Sequence, residues 1–360
     1  MSNIKISIVY DFHTGPWGGA NQFLKALKQE FINRNFYVDN PKDADCILFN
    51  SHHSLKRILQ LKLCFREKIF LHRVDGPIFL IRKKNYEIDK QIYEINNHIA
   101  DATIFQSKWS KEMNSRLGMK KNYFETIIPN AVNHEIFFPK SDVQDLSQRK
   151  CKLIAASWSP SFSKGFDLYK FLDENLDFNK YSMIFVGNTP ITFNNIKHVL
   201  PLRSEELAEE LRNNDIFITG SRNDPCSNAL IEALSCGLPC LVLNDGGHPE
   251  ILGQGGEVFN TFEECIEKLE LLRINYNHYR SKIKIPKIEY ITKNYVRFIT
   301  KILKLQQEGK YKAKEIKKIN YYLIILKFQF INSSIKSLSK KFLKTIFRYL
   351  RDYRKIKSLF

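Results

Sequence analysis

Asp224-Pro225-Cys226-Ser227-Asn228-Ala229-Leu230-Ile231-Glu232, running on into Ala233-Leu234-Ser235-Cys236-Gly237-Leu238-Pro239, is the stretch on which the reading of this chain turns. Pro225 holds Asp224 in a turn, and the residues from Asn228 read as a helix that Gly237 and Pro239 end. Asn228 and Glu232 are four apart and therefore share one helix face. The backbone N–H groups of Ser227, Asn228 and Ala229 are the unpaired donors at the helix start. Such a start, aimed into a cleft, is a diphosphate site, and Glu232 stands where a carboxylate could take the two hydroxyls of a ribose. The pattern suits a nucleotide-sugar. Spacing alone equally allows an ordinary helix, capped by Asp224 or Ser227, with Glu232 on a solvated face.

Around this block the chain alternates strand and helix twice. Apolar runs near Ile4–Tyr10, Phe36–Asp39, Cys46–Phe49, Lys68–Arg73, Thr103–Gln106 and Glu125–Pro129 read as strands, with helical patterns at Ala20–Phe31, Ser54–Leu63, Tyr86–Ile99 and Ser107–Leu117. The strands are continuously apolar rather than alternating, as expected when both faces of a parallel sheet are covered. The pattern restarts at Lys152, with strands near Leu153–Ala156, Tyr181–Val186, Ile216–Thr219 and Cys240–Leu243. Helical patterns there fall at Phe166–Glu174, Ser204–Asn213, Asn228–Ser235 and Phe262–Tyr276. This predicts an α/β chain of two doubly wound, Rossmann-like domains, residues 1–140 and 150–285, facing a cleft at the carboxyl ends of their strands. Residues 286–305 read as a helix that closes the second domain or crosses back to the first.

Composition narrows the function classes. The 360 residues, 43% hydrophobic, suffice for two cores. No apolar run approaches the ~18 residues of a membrane span, and no signal-peptide pattern precedes the first strand. Seven cysteines, an odd number with no C-x-x-C pair, argue for reduced thiols and a cytoplasmic setting. No His, Cys, Asp or Glu cluster has metal-ligand spacing, and no cofactor is expected. Asp43-Ala44-Asp45 leads into a buried strand and reads as a turn rather than a metal–diphosphate holder.

Four further loops fall at carboxyl ends of strands. Gly18-Gly19 lies in the first strand-to-helix turn, where glycine lets backbone approach a ligand. The spacing is not G-x-G-x-x-G, although Asp39 ends the second predicted strand where a ribose-binding acid of a dinucleotide enzyme would lie. Lys164-Gly165 heads a helix and can bring a point charge to phosphate oxygens. Gly246-Gly247-His248-Pro249-Glu250 supplies flexible backbone and an acid, and His72-Arg73-Val74-Asp75 comes from the first domain.

Together these residues resemble retaining GT-B glycosyltransferases of family 4, the "group 1" class. The resemblance covers about residues 4–305. It rests on the E-x7-E-like Asp224…Glu232 block, Lys164-Gly165, Gly246-Gly247-x-x-Glu250, Gly18-Gly19, Ala100–Ser107 and Ile128–Val132. It implies that Glu232 binds the ribose hydroxyls and Asp224 the transferred sugar. Lys164 and the helix start at Cys226, Ser227 and Asn228 would neutralise the diphosphate, with Gly18, Gly19, Gly247 and Glu250 completing the donor site. His72 and Asp75 would face the acceptor. Metal-independent transfer with retention, the departing phosphate assisting the incoming hydroxyl on the same face, is what such enzymes perform. Two departures stand out: Asp224 replaces the usual Glu, and no Arg stands between Cys151 and Lys164. They motivate an alternative, a nucleotide-sugar-binding or assembly protein without turnover.

The charge is lopsided. Residues 301–360 hold 17 Lys+Arg against 3 Asp+Glu, so this segment carries +14 of the net +18 and the remainder is near neutral. From Ile335, apolar Leu338, Phe342, Leu343, Ile346, Phe347 and Leu350 trace one helical stripe among basic residues. Residues 306–360 are therefore expected to be a basic amphipathic tail at an anionic membrane surface, not a nucleic-acid-binding segment. The expected protein is cytoplasmic and peripheral on the inner face of the plasma membrane. There it would act on a glycan or lipid-linked acceptor in cell-surface polysaccharide synthesis.

Overall fold

The computed structural model describes residues 4–14, 18–83, 86–140, 146 and 149–332. Five parallel strands form the first sheet: β1 (Ile6–Val9), β2 (Cys46–Asn50), β3 (Ile69–Val74), β4 (Ala102–Phe105) and β5 (Phe124–Ile127), in the order β1-β2-β3-β4-β5. Every residue of β1 to β4 is buried, because helices cover both faces of the sheet. The second sheet holds β6 (Cys151–Ser157), β7 (Tyr181–Gly187), β8 (Lys197–Val199), β9 (Ile216–Thr219), β10 (Cys240–Leu243) and β11 (Gly256–Phe259). Its order is β11-β10-β9-β6-β7-β8, all parallel. The winding direction reverses between β6 and β9, and the crevice outside the carboxyl ends of two such strands is where open α/β sheets bind ligands.

The predicted strand at Phe36–Asp39 is reduced to one bridge, Ile6 to Tyr37. Asp39 is exposed and paired with Lys28 at 3.4 Å, so it forms no part of a ribose site. The two short edge strands β8 and β11 escaped the sequence reading, since β8 has no buried residue and hence no apolar run. Asp45 accepts the Lys5 N–H at 2.7 Å, consistent with a turn into β2.

The helix Ile288–Gln307 crosses back to the first sheet. Its buried Ile288, Ile291, Tyr295, Ile299 and Ile302 recur at steps of three and four and join Phe23, Leu27 and Phe31 in one core. Of the predicted tail, residues up to Asn332 are described; the last helix is Lys318–Asn332, and the Ile335–Leu350 stripe lies outside the described residues.

Candidate active site

A cavity of about 410 Å³ opens between the two sheets at their carboxyl ends. Its walls include Ser157 from β6, Gly187 from β7, Thr219 from β9, and Asp75 and Gln106, which follow β3 and β4. The volume lies in the range of small-molecule sites.

Two helix starts converge on it. Ser227 caps the helix Asn228–Ser235, its side chain accepting from Leu230 N. On the opposite wall Gly18 precedes the helix Gly19–Asn33 with no side-chain cap. Gly18, Gly19, Ala20, Ser227, Asn228 and Ala229 all line the cavity. Each helix start carries partial positive charge and free N–H groups, so the facing ends make an anion site. Asn228 holds the two together: its Nδ2 donates to Gly19 O at 2.7 Å, and its Oδ1 accepts from Asn130 Nδ2 at 2.7 Å. The Asn228 side chain is thereby committed to joining the domains. Its helix-end backbone is the part left to face the cavity.

Among the described residues the lining contains a single cationic side chain, Lys164, beside the acids Asp75, Asp224 and Glu232. Lys164 Nζ donates to Asp224 Oδ2 at 2.8 Å, a pairing that nothing in the local sequence announced. Gly165 makes the approach possible: its φ is +89°, and a Cβ there would lie 2.6 Å from the Gly220 carbonyl carbon. Burial alone would raise the Asp224 carboxyl. The charges of Lys164 and His248, with hydrogen bonds from Lys164 and the Cys226 N–H, outweigh burial and hold it below the ordinary carboxylate value. Arg222, the nearest arginine in sequence to that turn, is bound to Asp167 through two contacts of 2.9 and 2.8 Å and does not replace the Arg absent before Lys164.

Glu232 is the opposite case. Its carboxyl has no hydrogen bond or ion pair among the described residues, and burial alone pushes it up to about 7. A half-buried carboxyl left without protein partners in a cavity wall is free to accept two donors from a ligand.

On the first-domain side, Asp75 is fixed by Arg73 Nη1 at 2.8 Å, Asn50 Nδ2 at 3.1 Å and a short contact from Gln106 Nε2. Arg73 is fully buried, stacks over Phe23 at 4.8 Å and donates to Asn130 Oδ1 at 2.6 Å. Arg73 and Asn130, rather than the expected His72, are the residues that stand with Asp75. The structure does not bring His72 to the cavity. It is buried in the sheet, stacked on Phe49 at 4.3 Å, with its ring nitrogens against Asn96 Oδ1 and Ser51 O at 3.1 and 3.0 Å. Burial pushes its pKa down to about 4. Strand alternation was the overlooked signal: Arg73 and Asp75 share one face, His72 the other.

Gly247 and Glu250 are likewise absent from the cavity lining. Gly246 has φ +64°, and a Cβ there would meet Asp224 O at 2.3 Å; Gly247 N donates to the same oxygen at 2.8 Å. The loop is a backing for the Asp224 turn. Glu250 reaches to the other domain and caps the helix Lys108–Arg116, accepting Lys108 N and Trp109 N at 2.9 Å each while Ser107 Oγ takes Ser110 N. Glu250→Ala is therefore expected to lower stability by about 1 kcal/mol, the value of a helix cap, without changing nucleotide affinity; melting curves and calorimetry check both halves. Cys226 is buried, accepts Asn130 N–H at 3.5 Å, and has its thiol pushed up to about 12 by burial, so it contributes packing rather than charge. Among the described residues no group of three His, Cys, Asp or Glu could hold a metal.

Comparisons with known proteins agree with this architecture. Residues 192–283 match the family model of glycosyl transferases group 1. The sulfoquinovosyl transferase SQD2 of Arabidopsis thaliana is 32% identical over 78 residues, which are 20% of this chain and only 15% of that protein. Among solved structures, Anabaena HepE in complex with UDP-glucose is similar with a TM-score of 0.59 at 14% identity, covering 85% of this chain and 100% of that one. Sucrose-phosphate synthase from Thermosynechococcus elongatus is similar with a TM-score of 0.59 at 12% identity, covering 92% and 100%. Two parallel sheets around a cleft, shared with these proteins, give this chain the GT-B glycosyltransferase fold.

Proposed function

We propose that this protein is a family 4 glycosyltransferase that moves a sugar, with retention, from a nucleotide-sugar to a glycan or lipid-linked acceptor. The observation that carries the reading is the convergence of two helix starts and Lys164 on one cavity whose wall holds the unpartnered Glu232. The diphosphate sits between the helix ends, and Lys164 meets the charge that builds on the leaving oxygen. Glu232, as a carboxylate, accepts the ribose hydroxyls. Asp224, kept ionised, takes sugar hydroxyls, and Asp75 in its fixed setting faces the acceptor. The sugar C1–O bond to the diphosphate breaks as the acceptor oxygen bonds C1 from the same side, its proton passing to the departing phosphate. Lys164 and the backbone N–H groups carry the leaving-group charge in place of a metal ion. Residues 306–360 hold the protein at the cytoplasmic face of an anionic membrane, near lipid-linked acceptors for cell-surface polysaccharide.

The test is a thermal-shift screen of UDP-, GDP- and ADP-sugars, UDP-glucose first because HepE was solved with it. A ligand at 100 times its Kd adds about 2.7 kcal/mol of stability. A melting temperature unmoved by every nucleotide-sugar would sink the reading. Release of free sugar from the donor separates an enzyme from a protein that only binds.

A further inference from the structure

The helix Lys318–Asn332 is apolar on two faces, and the protein covers one. Tyr321, Ile324, Ile325 and Phe328, at steps of three, one and three, pack with Leu55, Ile58 and Ile95 against the first domain. On the other side Ile319 and Leu323 are 50% and 52% exposed, and Leu326 continues their line half-buried. Single exposed apolar residues occur elsewhere on the surface, Leu200 and Ile274 among them, whereas residues in line along one helix face form a patch of the kind that marks an interaction surface.

The helix is held firmly. Asp101, fully buried, accepts from Lys62 Nζ at 3.1 Å, Phe70 N at 2.7 Å, Tyr311 OH at 2.9 Å and Lys314 N at 2.6 Å. Lys314 Nζ adds bonds to Asn97 O and Asn122 Oδ1 at 3.1 Å each. These contacts seat residues 311–316 and so fix the helix that follows them.

Charge selects the occupant. Lys317 and Lys318 are exposed at the head of the stripe, and residues 333–360, which continue the chain from this helix, hold nine Lys+Arg against one Asp. A second copy on this face would bring two such basic segments together, whereas an anionic bilayer neutralises them. No helix among the described residues is long and apolar enough to cross a membrane.

We propose that Lys318–Asn332 is a bilayer-docking helix, its Ile319–Leu323–Leu326 stripe entering the interface of an anionic membrane whose plane is thereby fixed relative to the first domain. This rests on the peripheral placement proposed above and goes further, giving that placement a described surface and an orientation.

The experiment is flotation of the full chain with equimolar phosphatidylglycerol and phosphatidylcholine vesicles. Wild type is expected to float, and the Ile319→Glu, Leu323→Glu double variant to partition at least ~10-fold less with an unchanged melting temperature. Equal flotation of the folded double variant overturns the proposal, as does failure of wild type to float. Loss of a dimer on gel filtration, with flotation intact, also overturns it by identifying a second copy as the occupant. Should the double variant not fold, Leu323→Trp replaces it. Quenching of the added fluorescence by brominated phosphatidylglycerol supports insertion, and its absence refutes it. Thermal shift with UDP-, GDP- and ADP-sugars on the same wild-type sample keeps the outcomes apart: no shift with any of them would end the donor reading and leave the docking result standing.

Discussion

Lys164→Ala is expected to lower donor turnover by about 10²–10³-fold, the usual loss when a preorganised group facing developing charge is removed. The effect should be large here because, among the described residues, Lys164 is the one cationic side chain in the cavity lining, with no Arg beside it. Removing it also strands Asp224, whose carboxylate is ionised through that contact. A stability loss of roughly 1–3 kcal/mol should accompany the lost activity. Adding Asp224→Asn to Lys164→Ala removes the stranded charge, so the double variant should regain stability while turnover stays low. Steady-state kinetics with melting curves decide the matter. Wild-type turnover by the single variant would remove Lys164 from the mechanism.

Glu232→Gln should separate binding from stability in opposite directions. The Glu232 carboxyl is raised from 4.5 to about 7 in the folded protein, so the unfolded chain gives up this proton at lower pH than the native one. The native state is unpenalised below the unfolded value, near 4.5, and loses stability as pH climbs through about 7. A shift of this size corresponds to a penalty of up to about 3 kcal/mol at pH 8. Glu232→Gln abolishes the penalty, so the variant should melt higher than wild type at pH 8 and no higher near pH 4.5. Nucleoside affinity should fall by about tenfold or more, since the amide has one acceptor oxygen where the carboxylate has two. In wild type, affinity should rise with pH through about 7 as the carboxylate forms. Equal melting temperatures across this range would show that Glu232 is not desolvated in the unliganded protein.

The outcome at β3 shows how local reading succeeds and fails. The apolar run identified the strand, and its carboxyl end identified the loop that faces the cleft. Choosing His72 with Asp75 ignored that residues three apart on a strand point to opposite faces; Arg73, two before Asp75, is the residue that shares its face and its carboxylate. Its place after Gly246-Gly247 groups Glu250 with the donor loop in sequence. Its true partners are the N–H groups of Lys108 and Trp109, more than a hundred residues away and invisible to any local pattern. The Lys164–Asp224 pair spans sixty residues and was equally out of reach.

By itself the sequence determined the buried central strands and most of the long helices with their covered faces, since apolar periodicity reports how many sides of a strand or helix meet a core. It also determined which loops stand at carboxyl ends of strands, and the helix start with Glu232 one turn inside. Tertiary structure alone decided which side chains keep a free valence. Asn228 is consumed in joining Gly19 to Asn130, Asp224 is matched to Lys164, and Glu232 is left open. Those assignments depend on desolvation and on contacts between residues far apart in the chain, and both exist only once the two sheets have closed on one another.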